Sequence, residues 1–242
     1  MAQAFETDDG LGDALGLVVL ATDETMEPEL ASVFSPSLVP VYHTRIHFEE
    51  EVTPETLGRM EKDLPASVEL LSNNVLFGAI GYGCTSGATV IGPDRIAALV
   101  QSVHVDVPVT NPITAVIAAC NALDVRKIGF LTPYVADVSK MMRRLLEDNG
   151  FEIANFLSFE EIRDSVVARI SEASTLAAIK KLGESDCDVV FASCTNLRAF
   201  GIIEEAEAAI GRPVISSNSA LAWHLAHLAG KKVLGPGRLF SV

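Results

Sequence analysis

Apolar residues in this chain cluster in short unbroken runs: Gly16-Leu17-Val18-Val19-Leu20, Val75-Leu76-Phe77-Gly78-Ala79-Ile80, Lys127-Ile128-Gly129-Phe130-Leu131 and Asp188-Val189-Val190-Phe191-Ala192. A run that is apolar at every position predicts a strand covered on both faces, as in parallel sheets. Further strands are predicted over Val39–Phe48, Glu152–Leu157 and Val214–Ser216. Amphipathic stretches separate the runs. They predict helices from Pro28, from Thr53-Pro54-Glu55 to Leu71, and over Asp94–Val103, Thr110–Leu123, Val135–Asn149, Glu160–Leu182, Arg198–Ile210 and Ala220–Ala229. Thr53 followed by Pro54 is a helix start signal, and Gly150 a C-terminal cap.

Strand and helix alternate throughout, which predicts an α/β fold. The pattern also repeats. Gly16 and Gly129 lie 113 positions apart, and Cys84 and Cys194 lie 110 apart. Two similar lobes with parallel sheets are therefore expected, 14–110 and 111–242, after a polar leader over 1–13; the C-terminal helix is expected to pack back on the first lobe. Ligands of open α/β sheets bind beyond the carboxyl ends of the strands. A cleft between the lobes would gather Asp23, Cys84, Tyr134 and Cys194.

Composition narrows the function classes. The 242 residues carry 32 acids against 18 bases, a net charge of −14, which argues against nucleic acid as a partner. No apolar run reaches the roughly 18–20 residues of a membrane helix, and the acidic first residues differ from a signal peptide. A cytoplasmic protein with no membrane partner is expected, as a homo-oligomer on base rates alone. Cys84, Cys120, Cys187 and Cys194 form no C-x-x-C pair, so neither a disulfide framework nor a metal site is expected. Cys120 and Cys187 read as structural.

Cys84 and Cys194 differ from the other two. Each closes a strand run and is followed by hydroxyl residues, in Gly83-Cys84-Thr85-Ser86-Gly87 and in Ser193-Cys194-Thr195-Asn196. Two thiols on opposite faces of a carbon acid can remove and return its proton without a cofactor. Helix N-termini would bring their pKa values towards neutrality. Thr85, Ser86, Thr195 and Asn196 suit a carboxylate and the charge that develops on it, and Tyr134 adds a donor.

These segments resemble the Asp/Glu racemase superfamily, within it the maleate cis-trans isomerase and arylmalonate decarboxylase group. The resemblance runs from about Leu15 to Gly230. Its other markers are Ala21-Thr22-Asp23-Glu24-Thr25, Pro108-Val109-Thr110-Asn111-Pro112, Leu131-Thr132-Pro133-Tyr134 and Ser217-Asn218-Ser219-Ala220. It implies two Rossmann-like lobes related by a pseudo-twofold axis, with the active site between them. It also implies an isomerase or racemase in which Cys84 is nucleophile or base and Cys194 handles the proton. Decarboxylases of the group carry glycine at the first position and use the second cysteine alone, so the alternative is decarboxylation through Cys194; a non-catalytic small-molecule binder is a third reading. Two positions depart from the maleate isomerase pattern. Asp23 replaces an Asn, which points to binding an amine or tuning a thiol. Ser165 is read as replacing a substrate-binding Asn.

The remaining chemistry-bearing residues carry no motif. Glu24, Glu27 and Glu29 fit an acidic first helical turn better than a metal site. His43, His47, His104, His224 and His227 do not converge, Trp223 reads as packing, and Gly235-Pro236-Gly237 as a turn.

Overall fold

The computed structural model describes residues 3–7, 13–35 and 39–242, and the leader expected over 1–13 lies largely outside them. Apolar strands build two four-stranded parallel sheets. The first contains β1 (Ala14–Leu20), β2 (Val41–Ile46), β3 (Phe77–Gly83) and β4 (Val109–Thr110), in the order β2-β1-β3-β4. The second contains β5 (Lys127–Thr132), β6 (Glu152–Ser158), β7 (Val189–Ala192) and β8 (Val214–Ser216), in the corresponding order β6-β5-β7-β8. All seven residues of β1 and all four of β7 are buried, as unbroken apolar runs require.

Helices connect these strands. In the first half they are α1 (Met26–Ala31), α2 (Pro54–Val68), α3 (Thr85–Ile91), α4 (Pro93–Gln101) and α5 (Pro112–Ala122). The second half adds α6 (Ala136–Asp148), α7 (Asp164–Val167), α8 (Glu172–Gly183), α9 (Ile203–Ile210) and α10 (Ser217–Leu228). Their starts are written in side chains. Thr53, Asn111, Ser171 and Ser216 each accept a hydrogen bond from the backbone N–H three residues on. The repeated glycines are explained by packing: a Cβ on Gly16 would lie 2.9 Å from Ile80 Cγ1, and one on Gly129 would lie 3.3 Å from Cys187 Sγ.

Helix α10 leaves the second sheet and returns to the first. Gly81 of β3 makes room for it, since a Cβ there would meet Leu225 at 3.2 Å. Thr110 Oγ1 and His224 Nδ1 are 2.8 Å apart, giving His224 a structural partner. The return also carries the first residue of α10, Ser217, to the junction of the lobes.

One predicted element is corrected. The helix expected over Glu160–Leu182 is broken into α7 and α8, with Glu160 at a positive φ of 54°. The segment before α7 pairs with the first lobe. Val52 N–H donates to Ile162 O at 2.9 Å, Asp164 N–H donates to Glu50 O at 3.0 Å, and Glu51 and Arg163 form an antiparallel bridge. These bonds satisfy backbone groups that a continuous helix would have paired internally. They also deliver Asp164 to the face between the lobes.

Candidate functional site

Cys84 follows the last residue of β3 and is the N-cap of α3, with φ −147° and its Sγ accepting the Gly87 N–H at 3.2 Å. Gly87 has no room for a side chain, because a Cβ would lie 2.6 Å from Tyr82 Oη and 3.0 Å from Cys84 Sγ. Cys194 is held differently. Its φ is +103°, a conformation an L-residue adopts at a cost of about 1–3 kcal/mol. No helix follows it directly, the next being a 3-10 turn over Phe200–Ile202. The sequence expectation of two matching helix-start cysteines is therefore corrected for Cys194. Its sulfur instead lies 2.9 Å from Tyr134 Oη and accepts the Asn196 N–H at 3.3 Å.

The two cysteine segments meet at Ser217. Thr85 Oγ1 donates to Ser217 Oγ at 2.8 Å, and the same oxygen accepts the Cys194 N–H at 2.9 Å. Thr195 Oγ1 reaches Gly83 O at 3.5 Å. Asn196 spans three segments, donating from Nδ2 to Asp164 Oδ2 at 3.0 Å and accepting the Glu24 N–H at Oδ1 at 2.9 Å. Asp23 Oδ1 accepts the Thr25 and Met26 N–H groups, both at 2.8 Å, and so organises the start of α1. Asp23, Cys84, Thr85, Ser86, Tyr134, Cys194, Thr195 and Asn196 are each 5% exposed or less. The structure thus brings together every predicted site residue but one.

Ser165 is the exception. It is exposed on the rim with its hydroxyl donating to Glu50 Oε1 at 2.6 Å. Its neighbour Asp164 occupies the site instead, 1% exposed. Asp164 Oδ2 accepts Thr22 Oγ1 at 2.7 Å as well as Asn196, and Tyr134 Oη lies 3.4 Å from Oδ1. A one-turn helix places successive residues about 100° apart, so a shift of one position exchanges rim and interior. Sequence reasoning also passed over Ser217, Asn218 and Glu29. Asn218 Nδ2 donates to Glu29 Oε2 at 2.6 Å and to Thr195 O at 2.8 Å, which braces the Cys194 loop from α10 and α1. The Ser217-Asn218-Ser219 motif was the available signal.

Burial sets the electrostatics. It pushes the Cys84 thiol up to about 12 and the Cys194 thiol well above its ordinary value, with the charges of Asp164 and Asp23 acting in the same direction. The Tyr134 hydroxyl and the Asn196 N–H oppose this at Cys194, as the Gly87 N–H does at Cys84. Burial also raises the carboxyls of Asp23 and Asp164, and Glu29 to about 7. Both site thiols therefore rest protonated, not near neutrality as the helix-terminus argument predicted. Iodoacetamide at pH 8 should alkylate Cys84 and Cys194 of the folded, unliganded protein far more slowly than a free cysteine, read by mass spectrometry of the labelled peptides. Labelling of either at the free-thiol rate would show an accessible thiolate at rest.

Among the described residues no group of His, Cys, Asp and Glu is arranged to hold a metal ion, and no helix is long and apolar enough to cross a membrane.

Comparison with known proteins agrees with this geometry. The family model described as arylmalonate decarboxylase matches residues 79–240. The chain is 25% identical to the maleate isomerase of Nocardia farcinica over 233 residues, covering 92% of each. It is 31% identical to the arylmalonate decarboxylase of Bordetella bronchiseptica over 139 residues, 55% of this chain and 58% of that one. In fold it is similar to a maleate isomerase mutant from Pseudomonas putida S16 with maleate, with a TM-score of 0.84 at 20% identity, covering 95% of this chain and 97% of the other. It is similar, again with a TM-score of 0.84, to a Nocardia farcinica maleate cis-trans isomerase mutant with a covalently bound succinylcysteine intermediate, at 23% identity and covering 94% and 98% of the two chains. With two matching parallel sheets, a cysteine beyond a strand of each, and a family match spanning most of its length, the chain belongs to the arylmalonate decarboxylase family.

Proposed function

We propose that this protein is a cofactor-independent isomerase of a small carboxylate, working through Cys84 and Cys194. One observation carries the reading: each lobe supplies a buried thiol from a strand end, and both thiol segments are tied to the single hydroxyl of Ser217. A carbon placed between them meets a sulfur from either side. One thiol acts as base or nucleophile and the other supplies or removes the proton, which is the balance that racemisation or cis-trans isomerisation needs.

Each thiol must lose its proton before acting as base or nucleophile. Asp23 and Asp164 are the carboxylates placed to receive it, and the Tyr134 O–H and Asn196 N–H stabilise the Cys194 thiolate as it forms. Ser86 Oγ, buried and without a hydrogen-bond partner among the described residues, joins Thr85 and Thr195 as a donor to the substrate carboxylate. Tyr134 and Asn196 then hold Cys194 in register with it.

The maleate isomerase relatives and the succinylcysteine of the Nocardia farcinica enzyme support this reading over decarboxylation. A decarboxylase working through Cys194 alone leaves the Cys84 thiol without a task. The proposal extends to a homo-oligomer in the cytoplasm.

The test is incubation in deuterated water with maleate, amino acids and phenylmalonate, followed by proton NMR. Deuterium entering the substrate carbon with racemisation, or conversion of a cis to a trans acid, is expected. Carbon dioxide released from phenylmalonate alone would favour the one-thiol decarboxylase, and no exchange into any of them would overturn the reading.

A further inference from the structure

The lining of the site is unusual for a pocket that takes an anion. Two carboxylates, Asp23 and Asp164, are buried beside the two thiols, 3% and 1% exposed. They belong to one network, because Thr22, next to Asp23, donates to Asp164 Oδ2 at 2.7 Å. Among the described residues no lysine or arginine side chain donates to either carboxylate. The nearby guanidinium groups are engaged elsewhere: Arg169 with Glu24, Arg45 with Glu27 and Arg163 with Glu161. Arg45 also donates to the Asp23 backbone carbonyl at 3.1 Å, from the outer side of that turn.

The unsatisfied atoms say what the site lacks. Asp23 Oδ2 is buried and has no hydrogen-bond partner among the described residues, although the Thr195 side chain lies close enough to act on its charge. Asn218 Oδ1, on the α10 side of the same network, is likewise buried and unpartnered. Buried acceptors in native proteins are satisfied by a donor, so one is missing here. A second dianion would bring more acceptors and more negative charge. An ammonium group brings three N–H donors and the missing positive charge.

From these atoms we infer that the substrate of this site is a small amino acid, recognised through its ammonium group by Asp23 and Asp164, with the hydroxyl of Ser86 turned to its carboxylate. The inference rests on the placing of the substrate between Cys84 and Cys194 proposed above. Asp23 and Asp164 are then the specificity-determining residues of the family's two-thiol site in this chain. The charges also balance: one ammonium lies against the acid pair, and one carboxylate lies against hydroxyl and backbone N–H donors at the start of α3.

Binding, measured apart from turnover, tests this. Calorimetric titration of the wild-type protein at pH 7.5 compares alanine with lactate, 2-aminobutyrate with 2-hydroxybutyrate, aspartate with malate, and all of these with maleate. At least one amino acid should bind tenfold or more tightly than its hydroxy twin and than maleate. Asp23→Asn and Asp164→Asn, with folding checked by circular dichroism, should each shrink that ratio severalfold.

Hydroxy acids or maleate binding as tightly as every amino acid, no amino acid binding at all, or unchanged ratios in folded variants would overturn the inference. Deuterium exchange on the same samples separates the two claims. Amino-acid preference without exchange supports the recognition and counts against the isomerase. Maleate turnover without amino-acid preference does the reverse.

Discussion

Replacing Cys84 or Cys194 by alanine should each lower turnover by on the order of 10³-fold or more, with the fold retained. If the thiols act from opposite sides of one carbon, neither can stand in for the other, so the double variant should be no worse than the more damaging single one. The structural cost of the two changes differs. Cys84→Ala removes the sulfur that accepts the Gly87 N–H at the start of α3, a loss of about 0.5–1 kcal/mol. Cys84→Ser keeps an acceptor there and separates the capping role from the chemical one. Cys194→Ala leaves the φ of +103° and its strain in place, whereas Cys194→Gly relieves the strain and should raise the melting temperature while remaining inactive. Initial rates by NMR, beside thermal melts, check all four variants. Activity within tenfold of wild type in Cys84→Ala would sink the two-thiol mechanism and leave the single-thiol one standing.

The contrast between these cysteines marks the limit of what the sequence shows. The strands were legible because burial on both faces leaves no polar position in them, as in β1 and β7. Helix starts were legible where a side chain caps them, as at Thr53. The Cys84 turn follows the same local logic. The Cys194 turn does not: its left-handed backbone is held by Tyr134, Asn196 and Ser217, which are near it only after the lobes have closed.

Asp164 escaped notice for the same reason. Its segment has the apolar spacing of a helix, but backbone bonds to Glu50 and Val52 of the other lobe break that helix and turn Asp164 inward. Periodicity reports the face a residue would have in isolation, and partners distant in sequence override it. The thiol pKa values were misjudged because a helix terminus was weighed without the burial that opposes it.

Asn196 is the residue through which these long-range constraints pass, and Asn196→Ala should be the most destabilising single change in the site. Its amide donates to Asp164 Oδ2 at 3.0 Å and to Asp164 O at 3.3 Å, and reaches Thr22 O at 3.4 Å, while its carbonyl oxygen accepts the Glu24 N–H at 2.9 Å. Thr25 Oγ1 donates to its backbone oxygen at 3.1 Å. Alanine keeps that last bond and loses the rest. Asp164 is left with Thr22 as its only close donor, in a place that already raises its pKa by burial. An unsatisfied buried charge and a freed N–H together cost about 2–4 kcal/mol. For a domain of this size that is a fall in melting temperature of on the order of 10 °C.

The loss should also depend on pH, with a definite sign. Without Asn196 the Asp164 carboxylate loses a partner that favours its charged form, so its pKa in the folded state rises further above the unfolded value. The native variant then holds a proton that the unfolded chain releases. Its stability relative to wild type therefore falls as pH rises through the ordinary carboxylate range and on through the raised native value, and recovers in acid. Asn196→Asp should be worse than alanine above that range, because it sets a second carboxylate 3 Å from the first. Melting curves at pH 5 and pH 8 test this: equal losses at both would mean that Asn196 acts by packing alone, and a smaller loss at pH 5 that it is the amide holding Asp164 charged between the lobes.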